Sequence, residues 1–358
     1  MAVNRLQIEE FLEGASHSLL LDVRSPAEYE HGHIPGALSL PLFSDEERKI
    51  VGTIYKQQSR EIAIKAGLDF FGPKMHPMID MVESMINNST NIHDKKTVFV
   101  YCWRGGMRSA GVAWLLNLYG FKVYSLAGGY KSYRRLAGQL FTYPFQFKLL
   151  GGFTGSGKTR ILEELKTQGE NVVDLELLAH HKGSAFGGID MPKPPTQEEF
   201  ENHLAYKLFL FKTKFESSGL NQQSIWLEDE SQRIGSINIP NALWEKMRRS
   251  PLVFIDIPFA ERLDYITKEY GTCSIEKLID ATERIKKRLG GLATKTAIEH
   301  LSEHKIKEAF DILLRYYDKQ YSKSLHNREN LNELLVKVPA EKVTCENAAL
   351  LRGKIQSV

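Results

Sequence analysis

Two short stretches carry the residues most able to do chemistry. The first, YCWRGGMRSA at 101–110, places Cys102 ahead of Trp103, Arg104, Gly105, Gly106, Met107 and Arg108. Two glycines let the backbone curl so that several N–H groups point inward, and the following helix start adds positive potential. Such a setting favours a thiolate nucleophile. The two arginines supply donors suited to a tetrahedral oxyanion. Cys273 and Cys345 have no comparable surroundings and read as ordinary small hydrophobes. The second stretch, GFTGSGKT at 152–159, fits Gly-x4-Gly-Lys-Thr. In such a loop the N–H groups of Gly152, Gly155, Ser156 and Gly157 cradle phosphate. Lys158 adds a point charge, and the Thr159 hydroxyl is the expected magnesium ligand.

Both stretches sit where an apolar run gives way to a helical pattern. SLLLDV (18–23), TVFVYC (97–102) and KVYSLAGG (122–129) read as strands of the first half, and MRSAGVAWLLNLYG (107–120) as a helix with Gly120 as its stop. PAEYEHG reads as a helical turn entered at Pro26 after Ser25 as N-cap. The span 43–95 reads as helical and longer than a connection needs, which suits a partner contact. In the second half, FKLLGG, NVVDLELLA, SIWLEDES (224–231) and PLVFIDIP (251–258) are strand candidates, with NELLVKV as a late strand and the rest strongly helical. Alternation of strand and helix implies mainly parallel sheets. The expected class is therefore α/β in two domains, 1–138 and 147–358, joined by a polar linker at 139–146.

The three acids that close SIWLEDE, Glu228, Asp229 and Glu230, are candidates for the magnesium side of the phosphate loop, as is Asp174 at the tip of NVVD; Asp256 is a weaker one. Net charge is only +3 and neither half is globally basic, so any nucleic-acid surface must be a local patch. Lys131, Arg134 and Arg135 form one such cluster, and Arg284, Lys286, Lys287 and Arg288 another. His180 and His181 are adjacent and face different ways, and no cysteine or histidine spacing suits zinc. Three scattered cysteines argue against a disulfide framework. No run approaches the ~20 apolar residues of a membrane span, and the N-terminus has no signal-peptide core. A cytoplasmic protein without membrane association is expected.

The Cys-x5-Arg spacing alone leaves a cysteine phosphatase and a sulfur-carrying enzyme both open. Three further motifs choose between them. Asp22-Val-Arg24, then Glu28-Tyr29, then Gly32-His33-Ile34-Pro35-Gly36-Ala37 resemble the rhodanese N-terminal signature, and LAGGYKSY (126–133) resembles the segment after the rhodanese active loop. Tyr101 also stands where phosphatases of this loop type carry His. Many rhodanese loops are one residue shorter, and the wider loop here suits a larger tetrahedral anion, such as a phosphate-like donor.

A rhodanese domain followed by a P-loop NTPase-like domain with a helical C-terminal part, with these motifs in this order, resembles the bacterial tRNA 2-selenouridine synthase family. The resemblance implies a transferase acting on 2-thiouridine at the wobble position of tRNA. It implies geranyl diphosphate as donor for an S-geranyl intermediate and selenophosphate as donor of selenium. The family's essential cysteine matches Cys102, and its phosphate loop matches 152–159. No tightly bound cofactor is expected beyond magnesium. The rivals are a rhodanese-type sulfurtransferase fused to an ATP-dependent kinase-like domain, a cysteine phosphatase, and a non-catalytic tRNA-binding protein.

Overall fold

The computed structural model describes residues 4–90, 92–219 and 223–355, with the side chains of 352–355 excepted. The chain divides into two units. The first comprises 1–140 with Glu201–Tyr206, and the second comprises 141–200 with 207–358.

The first unit is built on a parallel sheet of β1 (Asn4–Leu6), β2 (Ser18–Asp22), β3 (Leu38–Ser39), β4 (Asp94–Tyr101) and β5 (Lys122–Leu126), in the order β1-β5-β4-β2-β3. Its central strands are near-continuous apolar runs because both faces are covered. On one face Val98, Val100, Leu19 and Leu21 pack against Phe71, Met78, Val82, Ile86, Val112 and Leu116 from the helices that follow β3 and β4. On the other, Phe11 meets Phe99 edge-on at 5.2 Å. The helix starts at Pro26 after Ser25, as expected of PAEYEH, and Glu28 completes a capping box with Ser25. The span 43–95 is largely helical, in Asp45–Gln57, Arg60–Phe71 and Met75–Asn88.

The polar stretch expected as a linker is largely taken up by regular structure. The helix Gly129–Thr142 covers its first half and the next strand begins at Gln146, leaving only Tyr143–Phe145 between them. The apolar positions of the helix explain this, because Leu136, Ala137, Leu140 and Phe141 recur at helical spacing and are buried.

The second unit holds β6 (Gln146–Gly151), β7 (Asn171–Val172), β8 (Ser224–Glu228), a hairpin of β9 (Arg233–Ile234) and β10 (Ile237–Asn238), β11 (Leu252–Asp256) and β12 (Leu335–Pro339). Its parallel sheet has the order β12-β11-β6-β8-β7. NVVDLELLA keeps only two strand residues, because Asp174 caps a helix at Leu175–Ala179 through Leu177 N–H at 2.7 Å. The chain leaves β6 across β8 to reach β7, and leaves β8 across β6 to reach β11. The carboxyl ends of β6 and β8 thus form a topological switch point, where open α/β sheets bind ligands. The helices Lys158–Thr167 and Asn347–Ile355 cover one face around Leu150, Ile161, Leu165, Trp226 and Val253. A separate helical core gathers Leu263, Tyr270, Leu278, Phe310 and Leu313 around Phe186. Among the described residues, no helix is long and apolar enough to cross a membrane.

Candidate functional site

The cysteine loop follows β4 and ends at the helix Met107–Tyr119. Cys102 is 2% exposed, and its Sγ lies 3.2 Å from Ser109 Oγ, one turn into that helix. The loop is clamped by the Gly-Gly turn after β5. Tyr130 N–H donates to Cys102 O at 2.8 Å, and Lys131 N–H to Trp103 O at 3.0 Å. Gly129 has φ +59°, and a Cβ there would stand 2.2 Å from Cys102 O and 2.4 Å from Gly105 N. Only glycine lets the two segments approach this closely.

Beneath the loop, the Asp22-Val-Arg24 motif is a buried brace. Arg24 donates to both Asp22 oxygens and to Gly32 O, and its guanidinium lies 3.9 Å from the centre of the Tyr130 ring. Tyr101 OH accepts from Ile34 N–H at 3.0 Å, tying the strand to the segment 32–37.

The two arginines of the loop part company. Arg108 is spent on Glu28, with Nη1 donating to Oε2 at 2.6 Å and Nη2 to Oε1 at 3.4 Å. Arg48 Nε donates to the same carboxylate at 3.0 Å. Burial acts to raise the Glu28 pKa, but the hydrogen bond and charge of Arg108, helped by Ser25 N–H and Arg48, hold it down to about 2. Arg104 is exposed, beside an exposed Gly106 and Met107. Trp103 is 38% exposed, its ring 5.7 Å from that of the fully buried Tyr130. Of the nearby cationic cluster, Lys131 and Arg135 are exposed, whereas Arg134 pairs with Glu201 and Asn202.

The phosphate loop lies between β6 and the helix Lys158–Thr167, as its motif requires. Gly157 has φ +72°, and a Cβ there would meet Val343 Cγ1 at 2.7 Å. Lys158 Nζ lies 3.3 Å from Gly152 O, and Ser156 Oγ is buried without a partner. Arg262, 3% exposed, holds the loop from outside. Its Nη1 donates to Thr154 O at 3.1 Å while Asp318 grips the guanidinium at 2.9 and 2.7 Å.

The acids expected on the magnesium side take different roles. Asp229 has both oxygens engaged, by Arg328 Nη2 at 2.6 Å and Tyr321 OH at 2.7 Å. Glu228 is fully buried. Its Oε2 accepts from Leu175 N–H at 3.0 Å, and its Oε1 has no partner. Asp174 caps the short helix that follows. The acid nearest the loop is Glu176, whose Oε2 accepts from Thr159 Oγ1 at 3.2 Å. Glu230 is close by, since one point above Gly183 lies 2.8 Å from both Glu176 Oε1 and Glu230 Oε2. Sequence reasoning missed Glu176, hidden in a stretch read as strand, whereas Glu230 is the last of the three acids that close SIWLEDE and lies just past the end of its strand. Burial and the charges of Asp174 and Glu176 push the Glu228 carboxyl well above its usual range, and burial with the Glu176 charge does the same to Glu230. Burial also raises Glu176, against the pull of Lys158.

Among the described residues, no group of three or more acids, histidines or cysteines is arranged to hold a metal ion. Thr159 and Glu176 are a donor pair that fits magnesium of the kind completed by substrate phosphate and water. Arg284, Lys286, Lys287 and Arg288 are all exposed, with Lys286 3.2 Å from Glu283.

Comparison with known proteins matches each unit to a family. Residues 7–136 match the rhodanese-like domain, and residues 145–283 match the tRNA 2-selenouridine synthase AAA domain. The chain is 35% identical over 295 residues to a tRNA 2-selenouridine synthase of Nitrosomonas europaea, covering 82% of this chain and 73% of that protein. It is 34% identical to the same-named protein of Hydrogenovibrio crunogenus, with 87% and 90% covered. Against that of a Sulfurovum species it is 33% identical, with 90% and 93% covered.

Proposed function

The chain belongs to the tRNA 2-selenouridine synthase family, and from that premise we propose how its two loops divide the replacement of sulfur by selenium in a tRNA 2-thiouridine. The observation that carries the reading is the pairing, in one chain, of a clamped cysteine loop and a complete phosphate loop, each at the carboxyl end of a parallel strand.

The chemistry explains why two loops are needed. Sulfur doubly bonded to C2 of thiouridine is a poor leaving group, and alkylation makes it a good one. In the first step the thiouridine sulfur attacks C1 of geranyl diphosphate. An S–C bond forms, the C–O bond breaks, its electron pair leaves with diphosphate, and the base loses its N3 proton. The loop 152–157 and Lys158 bind the departing diphosphate. Thr159 and Glu176 would hold a magnesium ion, which supplies further charge for that departure. In the second step the selenium of selenophosphate adds to C2 and geranylthiolate leaves. Loss of the phosphoryl group to water gives 2-selenouridine and phosphate. The cysteine loop holds the selenophosphate, with Arg104 and the loop N–H groups as donors. Arg108 joins them only by releasing Glu28.

The test is mass spectrometry of a 2-thiouridine anticodon stem-loop treated with geranyl diphosphate and then selenophosphate, using wild type, Cys102→Ala and Lys158→Ala. The expected result is a geranyl mass shift that Cys102→Ala keeps and Lys158→Ala loses, then a selenium shift that Cys102→Ala loses. Normal geranylation by Lys158→Ala would remove the phosphate loop from the first step.

A further inference from the structure

Beyond the phosphate loop, the second unit concentrates positive charge that this scheme leaves unused. Arg328 follows the helix Ile306–His326, and its side chain is fully enclosed. Nη2 donates to Asp229, while Nε and Nη1 are buried without a partner. Arg248, half-buried at the end of the helix Asn241–Arg248, brings a second guanidinium and donates to Ser324 O at 3.3 Å. Burial and then the like charge of Arg328 lower its pKa, and Asp229 only partly opposes them. Trp244 lies one turn earlier on the same helix. Its ring centre is 5.7 Å from Arg248 Cζ, and its Nε1–H is also buried without a partner.

Asp229 is thus contacted by one guanidinium, that of Arg328, while the charge of Arg248 has no carboxylate of its own in contact among the described residues, and donors on two residues go unmet. A buried polar group left unmatched costs roughly 1–3 kcal/mol, and orphaned groups of this kind call for an explanation such as a bound ion or water. An anion with several acceptor oxygens would offset both the charge and the missing bonds, and guanidinium geometry matches a phosphate. The substrate implied by the family, tRNA, presents a phosphodiester at every nucleotide.

We propose that Trp244, Arg248 and Arg328 form a notch that takes one phosphodiester of the RNA substrate. Trp244 and Arg248 are partly exposed and form its mouth, with the charge of Arg328 beneath. The notch is wired to the phosphate loop. Asp229 accepts from Tyr321 OH at 2.7 Å, and Tyr321 OH accepts from Gly152 N–H at 3.4 Å. RNA seated there bears on the first glycine of the loop through a chain of hydrogen bonds.

The test is binding of a full-length tRNA to the whole protein across a salt series. Arg248→Gln is expected to weaken binding about 3- to 10-fold and to flatten the slope of log K against log salt by about 0.7–0.9, the share of one phosphate. Trp244→Phe, which keeps the ring and the charge, is expected to weaken binding by a smaller factor with the slope intact. Arg249→Gln, an exposed neighbour, is the control and should do less than Arg248→Gln. The proposal is overturned if Arg248→Gln, folded as judged by thermal unfolding, leaves affinity and slope unchanged, or does no more than the control. Should Arg248→Gln fail to fold, unchanged affinity in Trp244→Phe overturns it instead. Inorganic phosphate raising the unfolding temperature while RNA affinity ignores all these changes would put a free anion in the notch, and that too would overturn the RNA assignment.

Discussion

At the cysteine loop, Arg108 is matched by Glu28 and the backbone is pinned to the turn at Gly129. At the phosphate loop, Ser156 Oγ is buried and unmatched, and Lys158 makes a long contact to Gly152 O. The first loop is held by contacts it already makes, so its geometry is set before any anion arrives. The second holds its shape through glycine conformation and Arg262, while its ligand-facing groups keep their bonding capacity. Changes to the contacts that pin the first loop should therefore act through folding, whereas changes to the ligand-facing groups of either loop should act through chemistry.

The largest effect expected is that of Lys158→Ala, which should cut geranyl transfer by roughly 100-fold or more while thermal unfolding stays near that of wild type. A large loss of stability in this variant would erase the contrast between the loops. Next is Gly129→Ala. The added Cβ collides with Cys102 O at a backbone angle that alanine avoids, so denaturant unfolding should show a loss of about 2–3 kcal/mol, with selenium incorporation falling in parallel.

These two predictions rest on features with different legibility in the sequence. The Gly-x4-Gly-Lys-Thr loop, the strand before it and the helix after it were legible because the motif, the apolar run and the helical period agree at one place. So were the helix start at Ser25 and Pro26, and the late strand β12. Other features depend on partners far along the chain. Asp229 looked like a free acid because Arg328 and Tyr321, which occupy it, lie 99 and 92 residues away. Arg108 looked like a free cation because Glu28 is 80 residues before it. The edge strand Asn4–Leu6 has three residues, too few for an alternating pattern to show. Nothing local marks Glu201–Tyr206, inside one long helix, as grouping with the first unit.

A smaller effect is expected from pH. Glu28 has a folded pKa of about 2 against an ordinary 4.5. A depressed carboxylate stabilises the fold fully above its unfolded pKa, and that contribution is lost as pH falls from 4.5 through about 2. Glu28→Gln should therefore lower stability near neutrality and flatten its acid dependence in that window, as read by urea unfolding at several pH values. An unchanged acid limb would mean that Arg108 is freer than its contacts imply. The smallest effect belongs to Arg104→Ala. This exposed side chain should raise the selenophosphate KM several-fold with no change in unfolding temperature.

The order β12-β11-β6-β8-β7 also has a consequence for synthesis on the ribosome. Strand β11 ends at Asp256, but β12, which pairs with its outer edge, begins only at Leu335. At ~5–20 residues per second, that edge waits roughly 4–16 s for its neighbour. Val343, which abuts Gly157 of the phosphate loop, emerges later still. Through that interval the growing chain presents Leu252–Asp256 as an open template for pairing. Nascent chains stalled between residues 260 and 330 should therefore be the most aggregation-prone lengths of this protein.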